Sequence, residues 1–119
     1  MELEFDITQP FDKDVSKLSD LQREKVTNQI NKISQSLLNG QTAFKESSSI
    51  PYIFNLKGGL DSSLFLIRVD QDKRVVAAVD EDPIFNKISL TLFRLIDNNQ
   101  AENVYKEVGE ALYTKLGIL

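Results

Sequence analysis

Leu3, Phe5 and Ile7 alternate with Glu2, Glu4 and Asp6 at the start of the chain, a period of two that predicts a strand with one buried face. Pro10 breaks the pattern, and Phe11, Val15 and Leu18 follow at helical spacing, with the proline suited to a first helical turn. Ser19 and Gln22 stand at capping-box spacing ahead of Val26, Ile30, Ile33 and Leu37, which share one helical face before Gly40. Two helices so close in sequence predict an antiparallel hairpin laid on a sheet. The polar, serine-rich stretch from Gln41 to Pro51 reads as a loop.

After Pro51 the period returns to two. Tyr52, Phe54 and Leu56 share a face, and Gly58-Gly59 supplies a turn. "SLFLIRV" and "RVVAAVD" are apolar on both faces and bracket Asp70-Gln71-Asp72, predicting a hairpin of two central strands. "KISLTLFRLI" predicts a further long strand, reached through the loop that carries Pro83. Asp97, Asn98 and Asn99 each suit an N-cap for a last helix carrying Val104, Val108, Leu112 and Leu116, stopped by Gly117. Gly109 weakens that helix by about 1 kcal/mol relative to alanine. The order predicts an α+β fold: an N-terminal strand, a helical hairpin, a mainly antiparallel sheet of four to five strands and a C-terminal helix. At 119 residues, residues 1–119 are expected to form a single domain, without internal repeats.

Composition narrows the chemistry. Hydrophobic residues are 41% and charged residues 27%, enough apolar surface for a core and no mark of overall disorder. Lys plus Arg number 14 against 18 for Asp plus Glu; the net charge of -4 excludes a broad electrostatic grip on nucleic acid, so any basic site is local. The chain has no cysteine and no histidine, which removes disulfides, thiolate nucleophiles, the usual zinc sites and imidazole acid-base work. The start lacks a basic and then apolar leader pattern, and no apolar run approaches about 18 residues, so a soluble, cytoplasmic protein off the membrane is expected.

The basic residues of the second half fall at strand ends. Lys57 precedes Gly58, Arg68 ends one central strand, Lys73 and Arg74 begin the next, and Arg94 lies near the end of the last. By strand parity Arg68 shares a side with Leu64 and Leu66, and Arg74 one with Val76 and Ala78, so a short loop brings the two arginines together. Two readings stay open. One is a surface ion-pair cluster with Asp70, Asp72 and the acids at 80–82. The other is an anion site, since guanidinium groups bind phosphate bidentately and stabilise charge on a phosphoryl group. "DEDP" is either a solvated loop or a hard-cation site; consecutive acids on an extended chain point to opposite sides, which favours the loop and no metal. Tyr105 is either half-buried core or a platform for base stacking.

Taken in order, "FDKDVSKL", the helical hairpin, "NLKGG", "LFLIRVDQDKRVVAAVDED", "SLTLFRLI" and "VYKEVGEALY" resemble the RelE/ParE toxin superfamily of bacterial type II toxin-antitoxin systems, over nearly the whole chain. The resemblance implies a toxin-like component neutralised by a cognate antitoxin protein that wraps around it. RelE-like members cut mRNA on the ribosome as metal-independent endoribonucleases without a cofactor; ParE-like members bind DNA gyrase instead. Carried over by position, Arg74, Tyr105 and Arg68 match catalytic positions, and Lys57, Arg68, Lys73 and Arg94 would hold the RNA phosphates. The chain departs from RelE where third-strand lysines fall on Phe65, Leu66 or Ile67 and a second arginine falls near Asn99. The alternative is a non-nuclease of the same fold, either a ParE-like gyrase inhibitor or an inactive antitoxin-binding member. A sheet apolar on both faces also predicts a docking partner or homo-oligomer.

Overall fold

The structure, a computed structural model, describes residues 2–39 and 64–115. Its elements are β1 (Glu2–Ile7), α1 (Gln9–Ser16), α2 (Asp20–Gln35), a 3-10 turn (Ser36–Asn39), β2 (Phe65–Arg68), β3 (Lys73–Asp82), β4 (Lys87–Asp97), a second 3-10 turn (Asn98–Gln100) and α3 (Ala101–Lys115). The expected strand at 52–56, the 41–51 loop, the Gly58-Gly59 turn and the Gly117 stop lie outside the described residues. Among the described residues no helix is long and apolar enough to cross a membrane.

Local chemistry accounts for the helix starts. Thr8 caps α1, its hydroxyl accepting from the Phe11 N–H, and Pro10 sits in the first turn, where its missing N–H costs nothing. Ser19 and Gln22 form a reciprocal capping box at α2: the Ser19 hydroxyl accepts from the Gln22 N–H, and the Gln22 side chain accepts from the Ser19 N–H. Asp97 is the N-cap residue of the 3-10 turn that leads into α3. The β3–β4 connection is tighter than a long loop. The Asp82 carboxylate accepts from the N–H groups of Ile84 and Phe85, and Asn86 takes a positive φ of 57°, a conformation asparagine tolerates. Asp80, Glu81 and Asp82 of the "DEDP" run thus belong to β3 rather than to a loop, and Asp82 braces the turn that follows.

The four strands form one sheet in the order β1-β4-β3-β2. The pairings of β2 with β3 and of β3 with β4 are antiparallel, whereas β1 runs parallel to β4. The fold is therefore α+β with a mixed sheet. The hydrophobic period specifies a strand and its faces but not its partner, so the parallel pairing of β1 is a tertiary outcome.

Each sheet face carries a core. Val75, Ala77, Leu90, Leu92 and Leu95 pack under Phe11, Val26 and Ile33 of the helical hairpin. On the reverse face Leu64, Leu66, Val76 and Ile96 pack under Ala101 and Tyr105 of α3. Val75 and Val76 are both fully buried, which explains why "RVVAAV" has no polar alternation: β3 is central and dry on both sides. Burial of a side chain such as Leu90 contributes roughly 1.5–3 kcal/mol.

Candidate functional site

The β2–β3 hairpin brings the two central arginines together as strand parity predicts, Arg68 directly opposite Arg74 in the register. They lie on the α3 face, since their neighbours Leu66 and Val76 belong to that core. Their environments differ sharply. Arg74 is 9% exposed, and its Nη1 donates to the carbonyl oxygens of Asp70 (3.0 Å), Gln71 (3.2 Å) and Lys73 (2.9 Å). Through Nη1 it binds the loop from within, on backbone oxygens rather than on the carboxylates that the ion-pair reading named. Arg68 is exposed, and among the described residues it makes no ion pair. A like charge directly opposite is unfavourable, and solvation of Arg68 together with the carbonyl cage of Arg74 is what makes the pairing tolerable.

Lys73 lies on the other face, because side chains alternate along β3. Its ammonium pairs with the Asp97 carboxylate, directly across the β3–β4 ladder. The loop is further closed by the Asn98 N–H, which donates to the Asp72 carbonyl at 2.8 Å.

Arg94 sits where α1 meets β4. Val76 pairs with Arg94 and Ala77 with Leu92, which leaves Phe93 as an extra residue in β4, a bulge beyond the last residue paired with β1. From there β4 has no strand on that side among the described residues, and α1 takes over. The Thr8 N–H and hydroxyl donate to the Leu92 carbonyl, and the Asp14 carboxylate accepts the Leu95 N–H at 3.0 Å. The same carboxylate holds Arg94 in a bidentate pair, Nε to Oδ2 at 2.7 Å and Nη2 to Oδ1 at 3.2 Å. The hydrogen bond that Arg94 donates to Asp14 raises its guanidinium above its ordinary pKa; partial burial opposes this, and the Asp14 and Glu107 charges add to it.

Around this joint lies a cleft of about 340 Å³, whose polar wall includes Lys17, Gln22, Lys73, Arg94 and Gln100. A neighbouring cleft of about 280 Å³ adds Lys13 beside Arg94 and Lys17. Lys13 and Lys17 escaped the sequence reading, although their spacing of four on a helix puts them on one side. Asp14 escaped it too, because its role depends on a strand 80 residues away.

The two readings of Tyr105 are decided by burial. The ring is fully enclosed in the α3-side core, and the hydroxyl donates to the Leu64 carbonyl at 2.6 Å. It offers no face for stacking. Lys57 lies outside the described residues. The cations therefore divide into Arg68 and Arg74 at the hairpin on one face, and Lys73 and Arg94, each held by a carboxylate, about the cleft.

No protein-family model matches the chain, and no curated protein matches it. Among solved structures it is similar to a YoeB/ParE toxin from Agrobacterium tumefaciens, with a TM-score of 0.55 and 13% sequence identity, over 82% of this chain and 99% of that one. The class the architecture defines is therefore an α+β protein of toxin-like fold.

Proposed function

We propose that the protein is the toxin-like component of a toxin-antitoxin pair, and that it acts by binding its target rather than by cutting RNA. The fold likeness supports the first half. The second rests on one observation: at the residues that would do the chemistry, the Tyr105 hydroxyl and the Arg74 Nη1 are engaged in holding the protein itself, and both side chains are buried. Metal-free phosphoryl transfer depends on preorganised donors aimed at the reacting phosphate. A guanidinium facing backbone carbonyls and a phenol inside a core do not provide them. A gyrase-directed, ParE-like action or capture by a cognate antitoxin needs neither. Induction in bacteria with mapping of mRNA ends on ribosomes, alongside a supercoiling assay with purified gyrase, tests this. Growth arrest or gyrase inhibition without new mRNA ends is expected, and new ends abolished by Arg74→Ala would overturn the binding reading.

One observation favours the nuclease as a second reading. The register pairing of Arg68 with Arg74 puts an exposed guanidinium beside a buried one, a feature suited to gripping a phosphate. In that case Arg68→Ala weakens ribosome-dependent cleavage, whereas a binding protein with its target surface elsewhere is indifferent to it.

A further inference from the structure

Among the described residues β1 is a terminal strand of the sheet. The Glu2 N–H donates to the Asn86 carbonyl at 2.9 Å and the Thr8 N–H to the Leu92 carbonyl at 3.2 Å, so the even-numbered residues turn their backbone groups toward β4. Alternation then directs the N–H and C=O groups of Leu3, Phe5 and Ile7 outward. The side chains along this edge are sorted by face. Phe5 and Ile7 stand opposite Leu90 and Leu92 on the helical-hairpin side, yet are 40% and 57% exposed, because the hairpin covers the inner strands more fully than the rim. At this edge the opposite face carries Glu2, Glu4 and Asp6, with Asp80 and Asp82 further in on β3, and the cation beside them on β4, Lys87, has its ammonium already bound by Glu4 at 3.0 Å.

We infer that β1 accepts an added strand from a partner protein whose residues alternate apolar and basic. Strand addition satisfies the outward backbone groups and lays the partner's side chains beside those of β1 on both faces. Apolar residues then cover Phe5 and Ile7, while lysines or arginines meet Glu4 and Asp6. A second copy of this chain does not fit. Opposite residues of two antiparallel strands share a face, so β1 against β1 brings acids against acids, which is destabilising and is a common guard on exposed edges. Charge complementarity thus selects a cationic strand. The inference stands apart from the function proposed above, because it uses neither the hairpin arginines nor the cleft.

The test is titration of the full chain with a synthetic peptide of alternating valine and lysine, with one of alternating valine and glutamate as control, read by calorimetry and by amide hydrogen exchange. The basic peptide is expected to bind at least about tenfold more tightly than the acidic one and to slow exchange at the Leu3, Phe5 and Ile7 amides. Asp6→Lys is expected to remove that preference. Equal affinity for the two peptides, or protection confined to other amides, would overturn the proposal, as would sedimentation showing a dimer closed through β1. The exchange measurement on the unmutated chain decides the matter even if the variant fails to fold.

Discussion

Arg94 and Asp14 join two elements separated by 80 residues in a bidentate pair, and the same Asp14 oxygen that accepts the Arg94 Nε–H accepts the Leu95 N–H. One carboxylate on α1 thereby substitutes for a neighbouring strand where β1 ends. With a side chain only 10% exposed against 33% for Arg94, Asp14 is the more committed partner. Asp14→Ala is expected to destabilise the protein by about 1–3 kcal/mol, since it strands a backbone donor and a partly buried cation. Asp14→Asn, which keeps an oxygen for the Leu95 N–H, costs less. Urea unfolding midpoints at matched slopes check the order.

Arg74 is expected to act on the hairpin. Arg74→Met keeps much of the apolar stem and removes the donor to three carbonyls, at a cost of about 1–3 kcal/mol. Faster hydrogen exchange at the Val69 and Lys73 amides, which close the same loop, localises the effect. Arg68→Ala, at an exposed site, stays within about 0.5 kcal/mol of the parent.

Tyr105→Phe removes only the hydroxyl that donates to the Leu64 carbonyl. A loss of about 1–2 kcal/mol in thermal or chemical denaturation is expected, for one buried bond and the acceptor left behind. In a binding protein the same variant leaves target inhibition unchanged once its fold is confirmed.

Lys87 titrates above its ordinary value, first through its hydrogen bond with Glu4 and also through the charges of Glu4, Glu2 and Asp82, with burial opposing. A cation favoured in the folded state contributes stability fully below the lysine pKa of the unfolded chain, about 10.4, and loses it as pH rises through the higher folded value. Glu4→Gln is expected to shift the Lys87 Nζ titration back downward by NMR. Added salt weakens the interaction, since the pair lies at the surface.

Leu90 and Leu21 test burial directly. Leu90 is 1% exposed and Leu21 is 64% exposed. Leu90→Ala is expected to cost about 2–5 kcal/mol, from lost transfer energy and an unfilled cavity, and Leu21→Ala within about 0.5 kcal/mol.

Periodicity determined much of this molecule before folding is considered. The alternation in "MELEFDI", the caps at Ser19 and Gln22 and the two-faced apolar run of "RVVAAV" are local or near-local facts, so their elements and the shared face of Arg68 and Arg74 can be read from spacing. What the arginines bind cannot. Strand parity says which side a guanidinium leaves the chain, but its partner depends on how a loop curls, and at Arg74 that loop returned three carbonyls. Tyr105 was equally ambiguous, because a helix position facing a sheet is core or platform according to whether another layer closes over it. The parallel seat of β1, the bulge at Phe93 and the Asp14 bridge depend on contacts between residues distant in sequence. Only tertiary structure decides them, since the free energy of each resides in groups that the chain's local order does not bring together.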